Sequence, residues 1–104
     1  MKQDQHTAQG DAQLANDTAG SRYEVRIGGE VAGFADYRVE GTSVRFTHTE
    51  VRPAYEGQGI GKRLVAYALD DVRRSGRKVL PQCRFVAQYI ARNEKEYGDL
   101  VVKG

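Results

Sequence analysis

The sequence predicts an α/β fold, with three antiparallel strands in a meander, then a helix, a parallel strand and a second helix around one mixed (α+β) sheet. Two patterns carry this prediction. Apolar and polar residues alternate through the first half of the chain between glycine turns, which is typical of antiparallel strands. In the second half, apolar residues recur every three or four positions, which is typical of amphipathic helices. The 104 residues provide for a single domain.

The first twenty residues differ in composition from the rest. They are rich in Gln, Asp, Ala, Thr and Asn, and Leu14 is almost the only large apolar residue among them. Such a segment cannot bury enough apolar surface to offset the entropy that is lost on ordering. We therefore expect a disordered polar tail over residues 1–20 and a folded domain over residues 21–104.

Three strands are expected after this tail. Alternation over 21–27 predicts the first strand, and a Gly-Gly turn leads to the second strand over 30–39. A turn at Glu40-Gly41 then leads to a third strand over 43–51. Three sequential antiparallel strands of this kind form a meander.

The third strand ends in ionisable residues. Val44 and Phe46 begin its apolar face, and a period of two places His48 and Glu50 on that same face. We therefore expect both ionisable side chains to point toward the core at the end of the strand.

The second half of the chain is predicted to form helix, strand and helix. Apolar residues at helical spacing over 60–72 predict an amphipathic helix, which Gly76 ends. A strand over 78–83 follows by a crossover and should pair in parallel with the third strand. Pro81 disfavours pairing, so these two strands should separate toward their ends. Apolar spacings of three, four and seven predict a second helix over 85–97.

A glycine-rich loop joins the third strand to the first helix, with Gly57, Gly59 and Gly61 at alternate positions. Glycine lets the backbone approach a ligand closely, and N–H groups at a helix start favour an anion. A Walker loop is excluded, because Glu56 stands in place of its first glycine and Arg63 in place of its hydroxyl residue. The G-x-G-x-G spacing, without an acid about 20 residues later, also disfavours a Rossmann fingerprint. The remaining interpretation is a loop for the pyrophosphate of an acyl-CoA.

The loop Glu56-Gly57-Gln58-Gly59-Ile60-Gly61 resembles the acyl-CoA loop of the GNAT superfamily of N-acetyltransferases, with Glu in place of the usual Arg or Gln. The order of elements over residues 22–102 is similar to the central half of a GNAT domain. A small single-domain branch of that superfamily has the run Thr-His-Thr-Glu-Val, present here at 47–51, and a cysteine after the next strand, here Cys83. Two positions depart from this branch, with Arg84 where it has proline and Asn93-Glu94 where it has His-Pro.

The resemblance implies acetyl-CoA (CoA) as co-substrate and no metal. The pantetheine arm is expected between the two separating parallel strands, with a backbone N–H near Val51 as donor to the thioester carbonyl. The residues expected to bind CoA are Val51, Glu56, Gly57, Gln58, Gly59, Ile60, Gly61, Lys62 and Arg63.

Four residues are candidates for catalysis. His48 or Glu50 is the candidate base that takes a proton from the amine, and the sequence does not rank the two. Cys83 is either a small buried apolar residue, or a residue of the cleft near the acetyl thioester that serves as a nucleophile carrying the acetyl group or as part of the wall. Tyr89 is expected, by the resemblance, to protonate the departing CoA sulfur, and the alternative is a core aromatic. Direct attack by the amine is preferred to transfer through Cys83.

The function expected from the sequence is acetyl-CoA-dependent N-acetyl transfer to a primary amine of a protein or a small molecule. The alternative is a CoA or acyl-CoA binding module with little turnover. A net charge of +2 without an aromatic-basic cluster argues against nucleic-acid binding. No signal sequence or long apolar run is found, which predicts a cytoplasmic protein without a membrane partner. We expect a monomer or weak dimer.

Overall fold

The computed structural model describes residues 12–103 of the chain. Its strands form one sheet in the order β1-β2-β3-β4-β5. The strands are β1 (Ala12–Asp17), β2 (Arg22–Ile27), β3 (Glu30–Glu40), β4 (Ser43–Val51) and β5 (Lys78–Pro81), and the helices are α1 (Ile60–Arg74), α2 (Arg84–Arg92) and α3 (Glu94–Tyr97). Neighbouring strands are antiparallel except β4 and β5, which are parallel. The predicted α/β class with a mixed sheet is confirmed.

The core lies between one face of the sheet and the helices. The inward side chains of β2, β3 and β4 form one buried cluster with the apolar stripe of α1. Among the largest fully buried side chains are Tyr97, Phe46, Ile60, Leu64 and Leu69. On the opposite face, which we call the outer face, polar side chains pair with one another, as Arg22 does with Asp36 at 2.9 Å.

Part of the predicted tail is ordered. Residues 12–17 form β1, which pairs with β2 along its whole length, so the prediction of disorder is wrong for this segment, while residues 1–11 lie outside the described residues. Leu14 packs against the core. Asn16 accepts a hydrogen bond from the hydroxyl of Tyr37 at 2.7 Å. Pairing at a sheet edge satisfies the backbone of β1, and composition alone does not reveal that contribution.

A β-bulge in β4 changes which residues face the core. The pairing of β4 with β3 skips one residue between Phe46 and His48, so Thr47 has no direct partner on β3. One extra residue inverts the alternation that follows it. His48 and Glu50 therefore lie on the outer face with more than half of each side chain exposed. The prediction that they point toward the core is wrong.

Strands β4 and β5 separate where the sequence predicts it. Their parallel pairing ends with Phe46 opposite Pro81, while β4 continues to Val51. Just past the last pair, the N–H of Cys83 donates to the carbonyl of Phe46 at 2.8 Å. The last residues of β4 thus face a widening gap between the two strands.

The predicted second helix over 85–97 is two helices. α2 ends at Arg92 and α3 begins at Glu94, because Asn93 between them has φ −127° and ψ 44°. The side-chain amide of Asn93 donates to the carbonyl of Tyr89 at 2.8 Å, where it competes with the helical ladder. The apolar spacing continues across the break to the buried Tyr97, and this continuity explains why the pattern predicts a single helix.

Candidate active site

The loop before α1 has the geometry of an anion site. Gly57 and Gly59 have φ of 82° and 76°, a left-handed conformation that favours glycine. The N–H of Arg63 donates to the carbonyl of Gly59 at 3.1 Å. The N–H groups of the residues between them precede this bond and lack an intrahelical acceptor. Together with the positive end of the α1 dipole, these groups favour a bound phosphate.

A cavity of about 450 Å³, which we call the loop cavity, opens at this loop. It is lined by Thr49, Val51, Tyr55, Glu56, Gly57, Gly59, Ile60, Gly61, Lys62 and Phe85. Seven of the nine residues predicted to bind CoA line it, and Gln58 and Arg63 do not. The Gln58 side chain instead donates to the carbonyl of Ala54 at 3.4 Å.

The ring of Phe85 closes over the start of α1. A Cβ at Gly61 would lie 2.8 Å from Cζ of Phe85 and 3.2 Å from Cγ2 of Val51. Glycine at position 61 is therefore needed for this close approach. Phe85 is nevertheless 39% exposed, which is unusual for a large apolar side chain packed against a helix.

A second cavity, the thiol cavity, lies in the gap between β4 and β5 and has a volume of about 420 Å³. It is lined by Thr47, His48, Thr49, Gln82, Cys83, Arg84, Phe85 and Gln88. Cys83 is only 8% exposed, and its Sγ donates to Oγ1 of Thr49 at 3.3 Å. Thr49 and Phe85 line both the loop cavity and the thiol cavity, so the two cavities meet at these side chains.

His48 reaches the thiol cavity from the outer face. Its Nε2 lies 3.2 Å from Oε1 of Glu50, and its ring centroid lies 5.9 Å from that of Phe34. Glu50 is not among the residues that line the cavity. The structure therefore brings His48 and Cys83 to one cavity and leaves Glu50 as a partner of the imidazole.

The backbone N–H of Val51 has the orientation expected of an oxyanion donor. The N–H of Arg52 donates to the carbonyl of Ala32 in β3 at 2.8 Å, and N–H groups alternate in direction along a strand. The Val51 N–H therefore points away from β3, toward the gap that β5 leaves. Its predicted role in catalysis stays a prediction.

Tyr89 does not line the thiol cavity, but it lines a cavity that shares Phe85 and Gln88 with it. This third cavity lies between α1 and α2, and the ring centroid of Tyr89 is 5.9 Å from that of Tyr97. Burial, with a smaller contribution from Glu96, raises the pKa of the Tyr89 phenol, so the hydroxyl keeps its proton at neutral pH. Its predicted role as proton donor to the CoA sulfur stays a prediction.

The sequence analysis did not single out Thr49 or Phe85. Thr49 faces inward only because of the bulge, and periodicity alone assigns it to the opposite face. The sequence does single out Phe85 by its position, because it falls outside the buried stripe of α2 that Val86 and Ile90 form. A large apolar residue off the stripe of an amphipathic helix is a candidate for ligand contact.

Two further findings concern residues 12–103. No group of three or more His, Cys, Asp and Glu side chains in this part of the chain is arranged to hold a metal ion. None of the helices described above is long and apolar enough to cross a membrane.

Comparison with known proteins identifies the family. The model of a family described as GCN5-related N-acetyltransferase matches residues 22–100. The chain belongs to this family. A search of curated protein sequences found no significant match.

Solved GCN5-related acetyltransferases share the fold. A putative N-acetyltransferase from Staphylococcus aureus has 21% identity and a TM-score of 0.66, over 90% of this chain and 91% of that one. The ribosomal-protein-S18-alanine N-acetyltransferase of Escherichia coli has 23% identity and a TM-score of 0.57, over 72% of this chain and 50% of that one. A family member from Brucella melitensis, solved with acetyl-CoA, has 21% identity and a TM-score of 0.53, over 65% of this chain and 50% of that one.

These structural matches concern the fold. The chain spans about half of the length of the Escherichia coli and Brucella enzymes, but nearly all of the length of the Staphylococcus aureus protein. The compact form of this GCN5-related domain therefore has a counterpart among solved structures.

Proposed function

We propose that the protein transfers an acetyl group from acetyl-CoA to a primary amine. The observation that carries this proposal is the meeting of the loop cavity and the thiol cavity at Thr49 and Phe85. An anion site at a helix start thus continues into a gap between parallel strands that holds a thiol and an imidazole. Pyrophosphate at the loop and the thioester at the gap would fit this arrangement.

The loop residues would hold the pyrophosphate. The N–H groups of Ile60, Gly61 and Lys62, which lack an intrahelical acceptor, would donate to the pyrophosphate, and the positive charge of Lys62 would add to the helix dipole. Gln58 and Arg63 remain proposed CoA-binding residues, although neither lines the loop cavity. The proposed setting is the cytosol, because a free thiol at Cys83 suits a reducing compartment.

The preferred mechanism is direct attack by the amine. The amine nitrogen forms a bond to the acetyl carbon, the carbon–sulfur bond breaks, and its electron pair leaves with the CoA sulfur. His48 takes the proton that the amine loses, and Glu50 orients the imidazole. The Val51 N–H would stabilise the developing oxyanion. Tyr89 stays the proposed donor that protonates the departing CoA sulfur, since its cavity shares Phe85 and Gln88 with the thiol cavity.

Transfer through Cys83 is the second route. The acetyl carbon would first bond to Sγ with release of CoA, and the amine would then displace the thiol from that carbon. The position of Cys83 in the cavity wall supports this route. The burial of Cys83 and its hydrogen bond to Thr49 favour the direct route.

The acceptor is proposed to be a protein side chain or terminus, or a polyamine. His48 reaches the thiol cavity from the exposed outer face, with Glu50 beside it, and an extended or bulky amine has access there. A small molecule would be enclosed on few sides there, and specific small-molecule sites usually enclose most of the ligand.

A second candidate function is binding of CoA or acyl-CoA without efficient turnover. The exposure of His48 and Glu50 favours it, because an exposed base is less well oriented than a buried one. In this case the protein would bind the nucleotide as tightly but would transfer acetyl groups slowly.

Calorimetric titration with acetyl-CoA, beside CoA, ATP and NAD, tests the binding step. We expect micromolar affinity for the CoA species, about −8 kcal/mol, and much weaker binding of ATP and NAD. Equal and weak binding of all four would contradict the proposal, because the loop would then have no preference for CoA.

Acetyl transfer by variants tests the chemical step. His48→Gln should lower kcat about a hundredfold, a typical contribution of a general base, with unchanged affinity for acetyl-CoA. Cys83→Ala should keep most of the transfer on the direct route, and intact-mass analysis should show no acetylated Cys83. Arg38→Gln, an exposed change on β3 outside both cavities, is the control. A Cys83→Ala variant without activity, together with acetyl-Cys83 in the wild type, would favour the second route.

A further inference from the structure

The thiol cavity carries one cation that the proposed transfer does not use. Arg84 is the first residue of α2 and lines this cavity together with His48 and Cys83. It is exposed and, within residues 12–103, forms no salt bridge. No carboxylate is among the residues that line the thiol cavity. A guanidinium group without a counterion therefore lies beside the place where the acceptor amine must attack.

The position of Arg84 in its helix is also unfavourable. The N-terminal end of a helix carries a partial positive charge, so a cation in the first turn is mildly destabilising. The first turn of α2 contains no acidic residue that would offset this effect. A negatively charged group bound at the mouth of the thiol cavity would remove the unfavourable interaction.

Two other arginines of the outer face are already neutralised. Arg45 donates to Gln82, which lines the thiol cavity, at 3.4 Å, and to both carboxylate oxygens of Glu40 at 2.8 and 3.0 Å. Arg22 forms an ion pair with Asp36 at 2.9 Å. Among the described residues, Arg84 has no such partner, so its charge is available to a ligand.

A charge of the opposite sign lies beside the candidate base. Glu50 contacts Nε2 of His48 at 3.2 Å, and the imidazole is charged only when it is protonated. In the part of the chain that the structure describes, Glu50 has no salt bridge to Lys or Arg. The site thus presents a carboxylate beside the base and a guanidinium in the cavity wall. A ligand with an ammonium group and a carboxylate close together complements both charges.

We propose that the acceptor is a polypeptide amine next to an acidic residue, and that Arg84 binds the carboxylate of that residue. This inference rests on the proposed function, and it excludes polyamines, which carry only positive charge. Arg binds a carboxylate through two parallel hydrogen bonds, which fixes the orientation of the partner as well as its charge. Arg84 is then a specificity-determining residue.

The openness of the site favours a polypeptide over a free amino acid. A free amino acid also carries an ammonium group and a carboxylate, but specific sites for small molecules usually enclose most of the ligand. Neighbouring residues of a polypeptide have Cα atoms about 3.8 Å apart, so an acidic neighbour stays close to the acetylated residue. The rest of the polypeptide can extend over the outer face, where His48 and Glu50 are exposed.

Acetyl transfer to paired peptides tests this inference. Each peptide has one free amine, either its N-terminus or a lysine, and the two members of a pair have Asp or Asn at the neighbouring position. Wild type should use the Asp member with a kcat/KM about five- to tenfold higher, through a lower KM. The preference should shrink in about 1 M salt, because the contact is exposed. In Arg84→Gln, kcat/KM should be equal for the two members and unchanged for the Asn member.

Three further variants separate a carboxylate contact from a general effect on the site. Arg84→Glu should reverse the preference, in favour of a peptide with Arg in place of Asp, and Arg84→Lys should keep part of the wild-type preference. Arg38→Gln removes a guanidinium group from β3 outside both cavities and should keep all of it. Calorimetry should show unchanged affinity for acetyl-CoA in every Arg84 variant, since Arg84 does not line the loop cavity.

The contrary outcomes are distinguishable. Equal kcat/KM of wild type for the Asp and Asn peptides would overturn the inference and keep the proposed function. A preference for Asp that survives in Arg84→Gln would also overturn it, because another group would then bind the carboxylate. Faster transfer to spermidine or to free glutamate than to the Asp peptides would overturn the choice of an acidic polypeptide. Absence of transfer to every one of these amines would overturn the proposed function as well.

Discussion

At the scale of single residues, Glu56 is the feature of the loop least suited to a phosphate. Glu56 lines the cavity where a pyrophosphate is proposed, and the negative charges of its carboxylate and the pyrophosphate repel each other. We predict that Glu56→Gln binds acetyl-CoA about two- to fivefold more tightly, as expected for an exposed charge pair worth at most about 1 kcal/mol. Calorimetry at low ionic strength measures the change.

Salt provides the control for Glu56. In about 1 M salt, screening should remove most of the difference between Glu56→Gln and wild type. Glu30→Gln makes the same change of charge at an exposed position outside the loop cavity and should leave affinity unchanged. Weaker binding by Glu56→Gln would mean that the carboxylate contacts the ligand favourably, for example at a hydroxyl group.

At the scale of elements, the N-terminal strand is held by a polar contact that spans the sheet and α1. Asn16 accepts from the hydroxyl of Tyr37 at 2.7 Å and donates to Asp71 of α1 at 3.4 Å. We predict that Asn16→Ala lowers the free energy of unfolding by about 1–3 kcal/mol, because the buried Tyr37 hydroxyl loses its acceptor. Urea denaturation measures it.

Two further variants separate this contact from a general effect on the strand. Gln13→Ala changes an exposed residue of the same strand and should alter stability by less than about 0.5 kcal/mol. Adding Tyr37→Phe to Asn16→Ala should recover part of the loss, since both hydrogen-bonding partners are then gone. If Asn16→Ala costs no more than Gln13→Ala, the strand is not held in this way.

Local sequence predicts some of the elements but not all of them. The meander, the glycine loop and α1 follow from turns and periodicity that lie within each segment. The register of β4 does not, because the bulge at Thr47 adds one residue against β3 and nothing in the Thr-His-Thr run marks it. The same bulge changes which predicted residues enter the site, since it turns Thr49 inward and His48 outward. Local sequence also does not predict that residues 12–17 form a strand, because this strand depends on pairing with the edge of β2 and on a hydrogen bond with the distant Tyr37.

At the scale of the whole molecule, two adjacent acids of α1 tie the sheet and the C-terminal region to one helix. Asp71 accepts from the hydroxyl of Tyr23 in β2 at 2.8 Å, and Asp70 accepts from the hydroxyl of Tyr97 in α3 at 2.9 Å. Burial, followed by the hydrogen bond to the neighbouring acid, raises the pKa of both phenols well above the ordinary value of 10.0. Both tyrosines therefore stay protonated in the folded protein at a pH where they ionise in the unfolded chain.

This difference predicts a loss of stability in alkali. Above pH 10 the unfolded state binds fewer protons than the folded state, so the free energy of unfolding falls as pH rises, by about 1.4 kcal/mol per pH unit for each such tyrosine. The stabilisation is complete below the unfolded pKa and declines from there upward.

The variant Tyr23→Phe tests this coupling, because it lacks one of the two phenols. The variant should be less stable than wild type at neutral pH, because the bond to Asp71 is lost, but its stability should fall less steeply above pH 10. Urea denaturation of both proteins between pH 8 and about pH 11 gives the two slopes, and equal slopes would mean that the Tyr23 proton does not couple to folding.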